Sequence, residues 1–392
     1  MAGTGEAGGA AVGLAGQVGR PGPVAGLVLP DYGGACISSL VPALLTPQAE
    51  RPGWLPQPLR SAAQVVLLVL DGLGWLQLGE RQALAPVLTA MEGIPVTTVA
   101  PSTTATALTS LALGMPPARH GIVGYKFAVS GPTGREVLNV LRWSTRSGDA
   151  RQFFPPVQAQ PHLSFEGVPV AVVSRSDFAG TGFSQAHQRG AREVGWSVPS
   201  SMAVLVRQVL SAGDALVYAY YDGIDRVAHS AGFGELYDAE LVAVDRLVSD
   251  LVSALPPGAV LAVTADHGQV EVGRLAVPLA PEVARLSGLM SGEARFRWLH
   301  ALPGDRGELY EQASAVYGRE AWVATRDEVV KADVLGAGPS PEALERLGDV
   351  LLVPLDNRAY LDPGDQGDAR LVCRHGGLSG AEMLVPLLCS GS

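Results

Sequence analysis

Five apolar runs, none longer than six residues, constrain the fold of this chain more than any other feature. Their apolar residues are continuous rather than alternating, as in strands whose two faces are both buried. Such strands are typical of a mainly parallel sheet covered by helices, so the runs predict an α/β fold. The runs occupy residues 65–70, 168–173, 216–221, 260–263 and 384–388.

A long amphipathic helix is predicted between the third and fourth runs. Apolar residues recur there at alternating spacings of four and three, and Pro256-Pro257-Gly258 ends the pattern. The next strand would end at Asp266-His267, at the side of an open α/β sheet where ligands bind. The apolar positions are Tyr237, Leu241, Val244, Val248, Leu251 and Leu255.

The composition restricts the class of protein and its partners. With 392 residues, 47% of them hydrophobic and 17% charged, the chain is globular rather than disordered. A formal net charge of -10 without a basic run argues against dedicated nucleic-acid binding, although bound divalent cations would let an acidic protein hold an anionic substrate. The three cysteines are scattered and the N-terminus has no signal-peptide pattern, so we expect a cytoplasmic protein. No apolar run reaches the roughly 18 residues that a membrane span needs, so we expect no membrane span.

Metal-ligand residues follow the first and third runs. Asp71 directly follows the first run, where a helix N-cap is the alternative role for an Asp. Asp225 and His229, spaced i and i+4, would face the same side of a helical turn. Asp222, three residues earlier, is either a competing ligand or a partner that orients His229.

Further ligand residues follow the fourth run and lie in a late loop. Asp266 and His267 come just after the fourth run, and Gly268 permits the turn that would let both reach one ion. His375 lies far along the chain, in the sequence Arg-His-Gly-Gly. A plain loop and a solvent-exposed histidine are the alternatives for these segments. Together, the three Asp and three His are enough for two metal ions if one hydroxyl also binds metal.

That hydroxyl lies in the sequence Pro-Ser-Thr-Thr-Ala-Thr at residues 101–106. The run from Ala105 to Leu113 predicts a helix that ends at Gly114. Thr104 would then lie at the helix N-terminus, where backbone N–H groups and the helix dipole favour an anion. A hydroxyl here could instead be an N-cap, and a nucleophile in this position can also act as the cap.

The order of these motifs resembles the alkaline phosphatase superfamily, and most closely its type I nucleotide pyrophosphatase/phosphodiesterase family. That family has an Asp after its first strand, a Thr nucleophile before a helix that closes in Thr-Gly-x-x-Pro-x-x-His-Gly, then Asp-x-x-x-His, Asp-His-Gly and a late His-Gly. Leu-Gly-Met-Pro-Pro-Ala-Arg-His-Gly at residues 113–121 matches most of the helix-end pattern, and the distance back from His120 selects Thr104. The resemblance extends from about residue 64 to the C-terminus, apart from an inserted segment.

The resemblance implies a three-layer αβα sandwich of the alkaline phosphatase type with a mainly parallel sheet. It also implies two divalent metal ions, zinc first, with manganese or iron as alternatives. One ion would be held by Asp225, His229 and His375. The other would be held by Asp71, Thr104, Asp266 and His267.

The chain departs from the family pattern at two places, the first being Thr-Ala-Thr-Ala at residues 104–107, where the family usually has Thr-Phe-Pro-Asn. Twenty-one residues after the nucleophile, where the family's phosphodiesterases have an Asn that donates to a phosphate oxygen, this chain has Tyr125, with Lys126 beside it. We assign Tyr125 and Lys126 to substrate binding.

The implied reaction is hydrolysis of a phosphodiester or pyrophosphate bond in a small phosphorylated substrate, such as a nucleotide. Thr104 would attack phosphorus, and water would hydrolyse the resulting phosphothreonine. A phosphomonoesterase or a phosphonate hydrolase of the same superfamily is an alternative, since either would use the same metals and nucleophile. A non-catalytic, metal-stabilised binding protein is a further alternative.

Changes of composition and residue pattern along the chain predict that it has three parts. Residues 1–24 are rich in Gly and Ala and are predicted to form a flexible tail. Residues 25–291 and 337–392 are assigned to one catalytic α/β domain. Residues 292–336 are predicted to form a small inserted α+β cap that contacts the substrate, with Arg295, Arg297 and Trp298 on an exposed strand.

Overall fold

A mixed seven-stranded sheet forms the centre of the computed structural model, which describes residues 18–364 and 370–390. Five neighbouring strands are parallel, and Leu384–Cys389 runs antiparallel to the strand on either side of it. In order across the sheet, the strands are Arg192–Trp196, Ala171–Arg175, Leu216–Tyr221, Gln64–Leu70, Ala259–Thr264, Leu384–Cys389 and Glu92–Thr97.

The central strands are buried on both faces, as their continuous apolar runs predict. Every residue from 65 to 70 is at most 1% exposed, and the strand Ala259–Thr264 is buried along its whole length. The strand expected from residue 168 begins later, at Ala171, because Pro169 has no N–H to donate to a neighbouring strand.

Helices pack around this sheet. The predicted long helix is Glu235–Ala254, and the predicted helix before Gly114 is Thr104–Leu113, with Gly114 in the left-handed conformation at φ 65°. Other helices are Leu40–Leu45, Gln57–Ser61, Trp75–Glu80, Pro86–Thr89, Pro117–His120, Pro156–Ala159, Gly182–His187, Met202–Ser211, Gly223–Ala231, Pro281–Ala284, Arg306–Tyr317, Arg326–Lys331, Pro341–Arg346 and Gly380–Met383. Short 3-10 helices lie at Ile37–Ser39, Gln48–Glu50, Gln82–Leu84, Ala150–Gln152, Ser164–Gly167, Ser176–Phe178, Pro199–Ser201 and Gly273–Leu275.

Two antiparallel sheets of four strands each lie beside the central sheet. We call them the hairpin sheet and the second sheet. The hairpin sheet contains Lys126–Gly131, Gly134–Asn139, Ser144–Thr145 and Gly148–Asp149. The second sheet contains, in order, Ser287–Glu293, Phe296–Ala301, Val350–Pro354 and Ala321–Thr325. Shorter strand pairs join Val270–Glu271 to Cys373–Arg374 and Ala276–Pro278 to Ala359–Leu361.

The second sheet differs in extent from the segment expected to form a cap. It begins at Ser287 and includes Val350–Pro354, which lies after residue 336. The division of the chain into domains therefore stays a prediction. Residues 1–17 of the expected tail lie outside the described residues, whereas Arg20–Pro21 pairs as a short strand with Val28–Leu29.

The expectation of an exposed strand at residues 295–298 is wrong. Arg295 is 0% exposed, and Arg297 and Trp298 are each 1% exposed. The two guanidinium groups are buried because distant acceptors satisfy them: Arg295 pairs with Glu382, and Arg297 donates to the backbone carbonyl of Tyr360. Among the described residues, no helix is both long enough and apolar enough to cross a bilayer.

Candidate active site

Two neighbouring strands deliver three of the predicted ligands. The strands that end at Leu70 and Thr264 are parallel partners, so the residues after them lie side by side. Asp71, Asp266 and His267 occupy these positions and are at most 2% exposed. His267 Nε2 lies 3.4 Å from Asp71 Oδ1 and 3.4 Å from Asp266 Oδ2. We call these three residues the buried group.

The helix Gly223–Ala231 and a late loop deliver the other three predicted ligands. Asp225 and His229 lie one helical turn apart, with 3.3 Å between Asp225 Oδ1 and His229 Nε2. His375 follows the strand Cys373–Arg374, and its Nε2 is 3.2 Å from His229 Nε2 and 3.9 Å from Asp225 Oδ1. We call these three residues the outer group.

The two groups adjoin through a pair of histidines. The rings of His267 and His375 stack with their centroids 3.7 Å apart and an interplanar angle of 14°. Within each group, one potential ligand atom per residue lies within 4.8 Å of the others. The structure therefore brings all six predicted non-hydroxyl ligands together, and their binding of metal remains a prediction.

Hydrogen bonds orient the three imidazoles with Nε2 toward the centre of the site. The Nδ1 atoms of His229, His267 and His375 lie 2.7, 3.1 and 3.1 Å from backbone carbonyl oxygens. A carbonyl only accepts, so each Nδ1 carries the hydrogen and each Nε2 keeps its lone pair. The facing Nε2 lone pairs of His229 and His375 repel each other unless a cation lies between them.

The carboxylates are also short of partners. Within the described residues, Asp71 Oδ1 and Asp266 Oδ2 are buried without a hydrogen bond. Burial raises the pKa of Asp71 well above its usual range, and the charges of Asp266 and Asp225 raise it further. Burial likewise raises the pKa of Asp225 and that of Asp266. A divalent cation would stabilise these carboxylates, so both donor sets fit a metal ion.

Thr104 is the first residue of its helix and lies beside the buried group. Its Oγ1 is 3.1 Å from His267 Nε2, and because that nitrogen keeps a lone pair, the hydroxyl donates to it. The first backbone N–H groups of a helix have no acceptor within the helix. These groups and the helix dipole favour an anion in front of Thr104.

A cavity of about 380 Å³ opens in front of Thr104. Tyr125 and Lys126, the predicted substrate-binding residues, both line it. The Tyr125 hydroxyl accepts a hydrogen bond from Asn139 Nδ2, and Lys126 Nζ lies 5.7 Å from the centroid of the Tyr125 ring. Arg142 also lines the cavity, which is therefore open to an anionic group.

A second cavity, of about 270 Å³, reaches Thr104 from another side. Its lining includes the apolar side chains of Leu108, Leu141, Phe178 and Phe183. Leu141 lines both cavities and is 40% exposed, and Asp71, Asp225 and Arg226 also line the second cavity, so its apolar side chains lie beside charged ones. A substrate with an organic group next to phosphorus fits this arrangement.

The expected roles of Asp222 are wrong. Its Oδ2 accepts from Arg175 Nη1 at 3.2 Å and lies 3.7 Å from Arg226 Nη1, outside both ligand groups. His229 Nδ1 donates to the carbonyl oxygen of Cys373, which orients the imidazole in place of a carboxylate.

Several residues around the site were missed by the sequence interpretation. Tyr220 donates its hydroxyl to Asp71 Oδ2, and Gln269 Nε2 donates to Asp225 Oδ1 at 3.1 Å. Glu293 lines the larger cavity and is 6% exposed. Burial raises the pKa of Glu293 to about 7, although the Tyr125 N–H, Arg297, Thr103 and Lys126 each lower it. No motif surrounds Glu293, so the sequence carries no signal that could have identified it.

Comparison with known proteins identifies the family. A sequence model described as type I phosphodiesterase/nucleotide pyrophosphatase matches residues 65–377. The chain belongs to this family. As a type I phosphodiesterase/nucleotide pyrophosphatase family member, it is a hydrolase that acts on phosphoric ester bonds. A sequence search of curated proteins gave no match.

Solved structures show the same fold. Murine ectonucleotide pyrophosphatase/phosphodiesterase 5 is 16% identical with a TM-score of 0.64, over 84% of this chain and 88% of the murine chain. An inactive variant of that murine protein was solved in complex with AMP. Phosphonoacetate hydrolase from Sinorhizobium meliloti, in complex with phosphonoformate, is 21% identical with a TM-score of 0.55, over 84% of this chain and 90% of the other. The predicted alkaline-phosphatase-like α/β fold is confirmed.

Proposed function

We propose that this family member hydrolyses phosphodiester or pyrophosphate bonds of small, nucleotide-like substrates through a phosphothreonine on Thr104, with the help of two divalent metal ions. One observation carries the proposal. Thr104 is the first residue of a helix and lines the 380 Å³ cavity, and its Oγ1 lies 3.1 Å from His267 Nε2. Thr104 and the outer group line this cavity together, and the buried group adjoins it through the contact of His267 with Thr104.

The ligand groups would hold the two ions. We assign one ion to the outer group and the other to the buried group together with Thr104. When bound, the ions would stabilise negative charge on the entering and leaving oxygens as Lewis acids. Imidazole and carboxylate ligands suit zinc, with manganese or iron as alternatives.

The reaction would proceed in two displacements. Thr104 Oγ1 forms a bond to phosphorus while the bond from phosphorus to the leaving oxygen breaks, and the leaving group takes up a proton. Water then adds its hydroxyl to phosphorus and its proton to Thr104 Oγ1, which frees the second product and restores the threonine. Backbone N–H groups at the start of the Thr104 helix stabilise the phosphoryl oxygens throughout.

The apolar side chains of Leu141, Phe178 and Phe183 in the second cavity support a substrate that carries an organic group next to phosphorus. An AMP complex of the murine relative supports a nucleotide as that substrate. Cys36, Cys373 and Cys389 are buried free thiols, and on this basis we keep the cytoplasm as the proposed compartment.

A phosphonate hydrolase is the second candidate. Lys126 and Arg142 line the larger cavity and suit a substrate with a second anionic group close to phosphorus. The Sinorhizobium meliloti relative was also solved in complex with phosphonoacetate, a substrate of this kind.

Steady-state kinetics of Thr104→Ala test the proposal. The metal-loaded protein is assayed with a nitrophenyl phosphodiester, the corresponding monoester and phosphonoacetate, and a preference for the diester supports the first candidate. We expect Thr104→Ala to lose at least about a thousandfold in kcat while it retains bound metal, since the nucleophile is removed. Unchanged turnover would reject Thr104 as the nucleophile.

Thr106→Ala is the matched control for this test. Thr106 lies in the same helix, is 0% exposed, and its Oγ1 makes no hydrogen bond within the described residues. Removal of this hydroxyl leaves no polar partner unpaired, so turnover and metal content should both stay near those of the unmodified protein.

A further inference from the structure

Glu293 brings a carboxyl group from the second sheet into the larger cavity. It ends the strand Ser287–Glu293 and lines the same cavity as Thr104, Asp225 and His375. Because it is 6% exposed, its carboxyl oxygens have little access to water and depend on partners within the protein or on a ligand.

The two oxygens of Glu293 differ in their partners. Oε1 accepts a hydrogen bond from the backbone N–H of Tyr125. Oε2 is buried and makes no hydrogen bond of normal geometry among the described residues, although the Thr103 hydroxyl lies close enough to lower the pKa of the carboxyl group. An unsatisfied buried acceptor is costly, so its retention at the wall of a ligand cavity needs an explanation.

Gly376 makes room for the side chain of Glu293, and Gly124 lies beside its carboxyl group. A Cβ at Gly376 would lie 2.7 Å from Glu293 Cβ, closer than side chains approach each other. A Cβ at Gly124 would lie 3.5 Å from Glu293 Oε2, in ordinary contact. Gly376 directly follows the predicted ligand His375, so the fold brings Glu293 close to the metal-ligand loop.

The charges around Glu293 restrict what its free oxygen can bind. Arg297 and Lys126 lie close enough to lower the pKa of Glu293, and Arg142 lines the same cavity. The positive charge of these groups attracts a phosphoryl group to the cavity, whereas Oε2 suits an O–H or N–H donor. A substrate that carries a hydroxyl or amino group near its phosphoryl group would satisfy both.

We propose that Glu293 selects the substrate: its Oε2 accepts a hydrogen bond from a hydroxyl or amino group on the organic part of the substrate next to phosphorus. The inference rests on the proposed function, because it places the reacting phosphorus at Thr104. Glu293 forms no bond to phosphorus in this role. It favours esters whose organic group carries such a donor over esters whose organic group lacks one.

Calorimetric binding of three small phosphates to the metal-loaded protein tests the inference. The ligands are ethyl phosphate, hydroxyethyl phosphate and aminoethyl phosphate, which differ only in the donor, at pH about 8.5, where the carboxylate form of Glu293 dominates. A hydrogen bond to a charged acceptor predicts that at least one of the two ligands with a donor binds about 10- to 100-fold more tightly than ethyl phosphate. Equal binding of all three by the unmodified protein overturns the inference without any variant.

Glu293→Gln tests the residue itself. Gln can still accept from the Tyr125 N–H, but its amide NH₂ would face the ligand donor, so the preference should disappear while ethyl phosphate binds as before. If Glu293 only ordered the Tyr125 segment, all three affinities would change by the same factor. Glu282→Gln, an exposed site just before the second sheet, is the control and should keep the preference. Binding needs no turnover, so failure of the catalytic proposal at Thr104 stays distinguishable from failure here.

Discussion

Arg295 and Glu382 form a bidentate ion pair in which both side chains are 0% exposed. Glu382 also accepts a hydrogen bond from the backbone N–H of Gly377 at 2.8 Å. The pair therefore joins the second sheet to the loop that carries His375. An ion pair exposed to water at this position would stabilise the loop much less, since water screens the attraction between the two charges.

We expect Glu382→Gln to destabilise the protein by about 3–5 kcal/mol, because it leaves a buried guanidinium without its counter-charge. The free energy of unfolding in urea measures this effect. The control is Glu308→Gln in the pair of Arg285 and Glu308, whose side chains are 58% and 50% exposed and which should contribute less than about 1 kcal/mol. Equal losses in the two variants would contradict the prediction.

Removal of metal should lower stability and change its dependence on pH. Burial raises the pKa of Asp71, Asp225 and Asp266 in the folded protein, so the folded state binds more protons than the unfolded state. These three carboxyl groups should therefore reduce the stability of the chelated protein as pH rises above about 4, whereas His267 and His375, whose pKa values burial lowers, act in the opposite direction below about 6.5.

Added zinc should reverse this trend. At a free concentration of 100 times its dissociation constant, a bound ion stabilises the folded state by about 3 kcal/mol. Thermal unfolding between pH about 5 and 8, with a chelator or with zinc, checks both statements, since carboxylates and imidazoles bind metal better once deprotonated. Superimposable curves with and without zinc would show that the ligand groups hold no metal.

Glu293→Gln should remove one component of the pH dependence in the chelated protein. The pKa of Glu293 rises from 4.5 to about 7 on burial, so its contribution is fully present below 4.5 and is lost as pH rises through about 7. The shift corresponds to at most about 3 kcal/mol. Urea unfolding at several pH values should show the unmodified protein losing this amount and the variant keeping it. A constant difference between the two proteins would refute the assignment.

Gly376→Ala should weaken both stability and metal binding. Gly376 has φ 111°, and an added Cβ would meet the Cβ of Glu293 at 2.7 Å. Gly134→Ala is a matched control, because Gly134 has φ 106° and nothing lies within 4 Å of an added Cβ. Backbone strain of about 1–3 kcal/mol applies to both variants. Only Gly376→Ala should also lose zinc affinity in a competitive chelator titration, because it displaces the loop of His375.

The strands and the ligand groups could be predicted because their signals are local. A strand buried on both faces needs apolar residues throughout, as in residues 65–70, so its sequence differs from that of a half-exposed strand. Asp71 and Asp266 then follow from the direction of parallel neighbouring strands, whose ends meet at one edge of the sheet.

The buried charges could not be predicted, because their partners are distant in sequence. Arg295 appeared to belong to an exposed strand, yet its partner Glu382 lies 87 residues further along the chain. Arg297 donates to the backbone carbonyl of Tyr360. Because every residue has a backbone carbonyl, the sequence does not indicate which one Arg297 contacts. Glu293 could not be predicted for the same reason, since its partner, the backbone N–H of Tyr125, lies 168 residues away in the chain.

The position of Leu384–Cys389 within the central sheet has a consequence for biosynthesis. This strand is the neighbour of Glu92–Thr97, which pairs with no other strand of the described sheet. During translation, Glu92–Thr97 can form only its single bridge, from Thr97 to Cys36, until Leu384–Cys389 has been synthesised. Non-local pairing of this kind slows folding, and the apolar surface that stays exposed meanwhile favours aggregation.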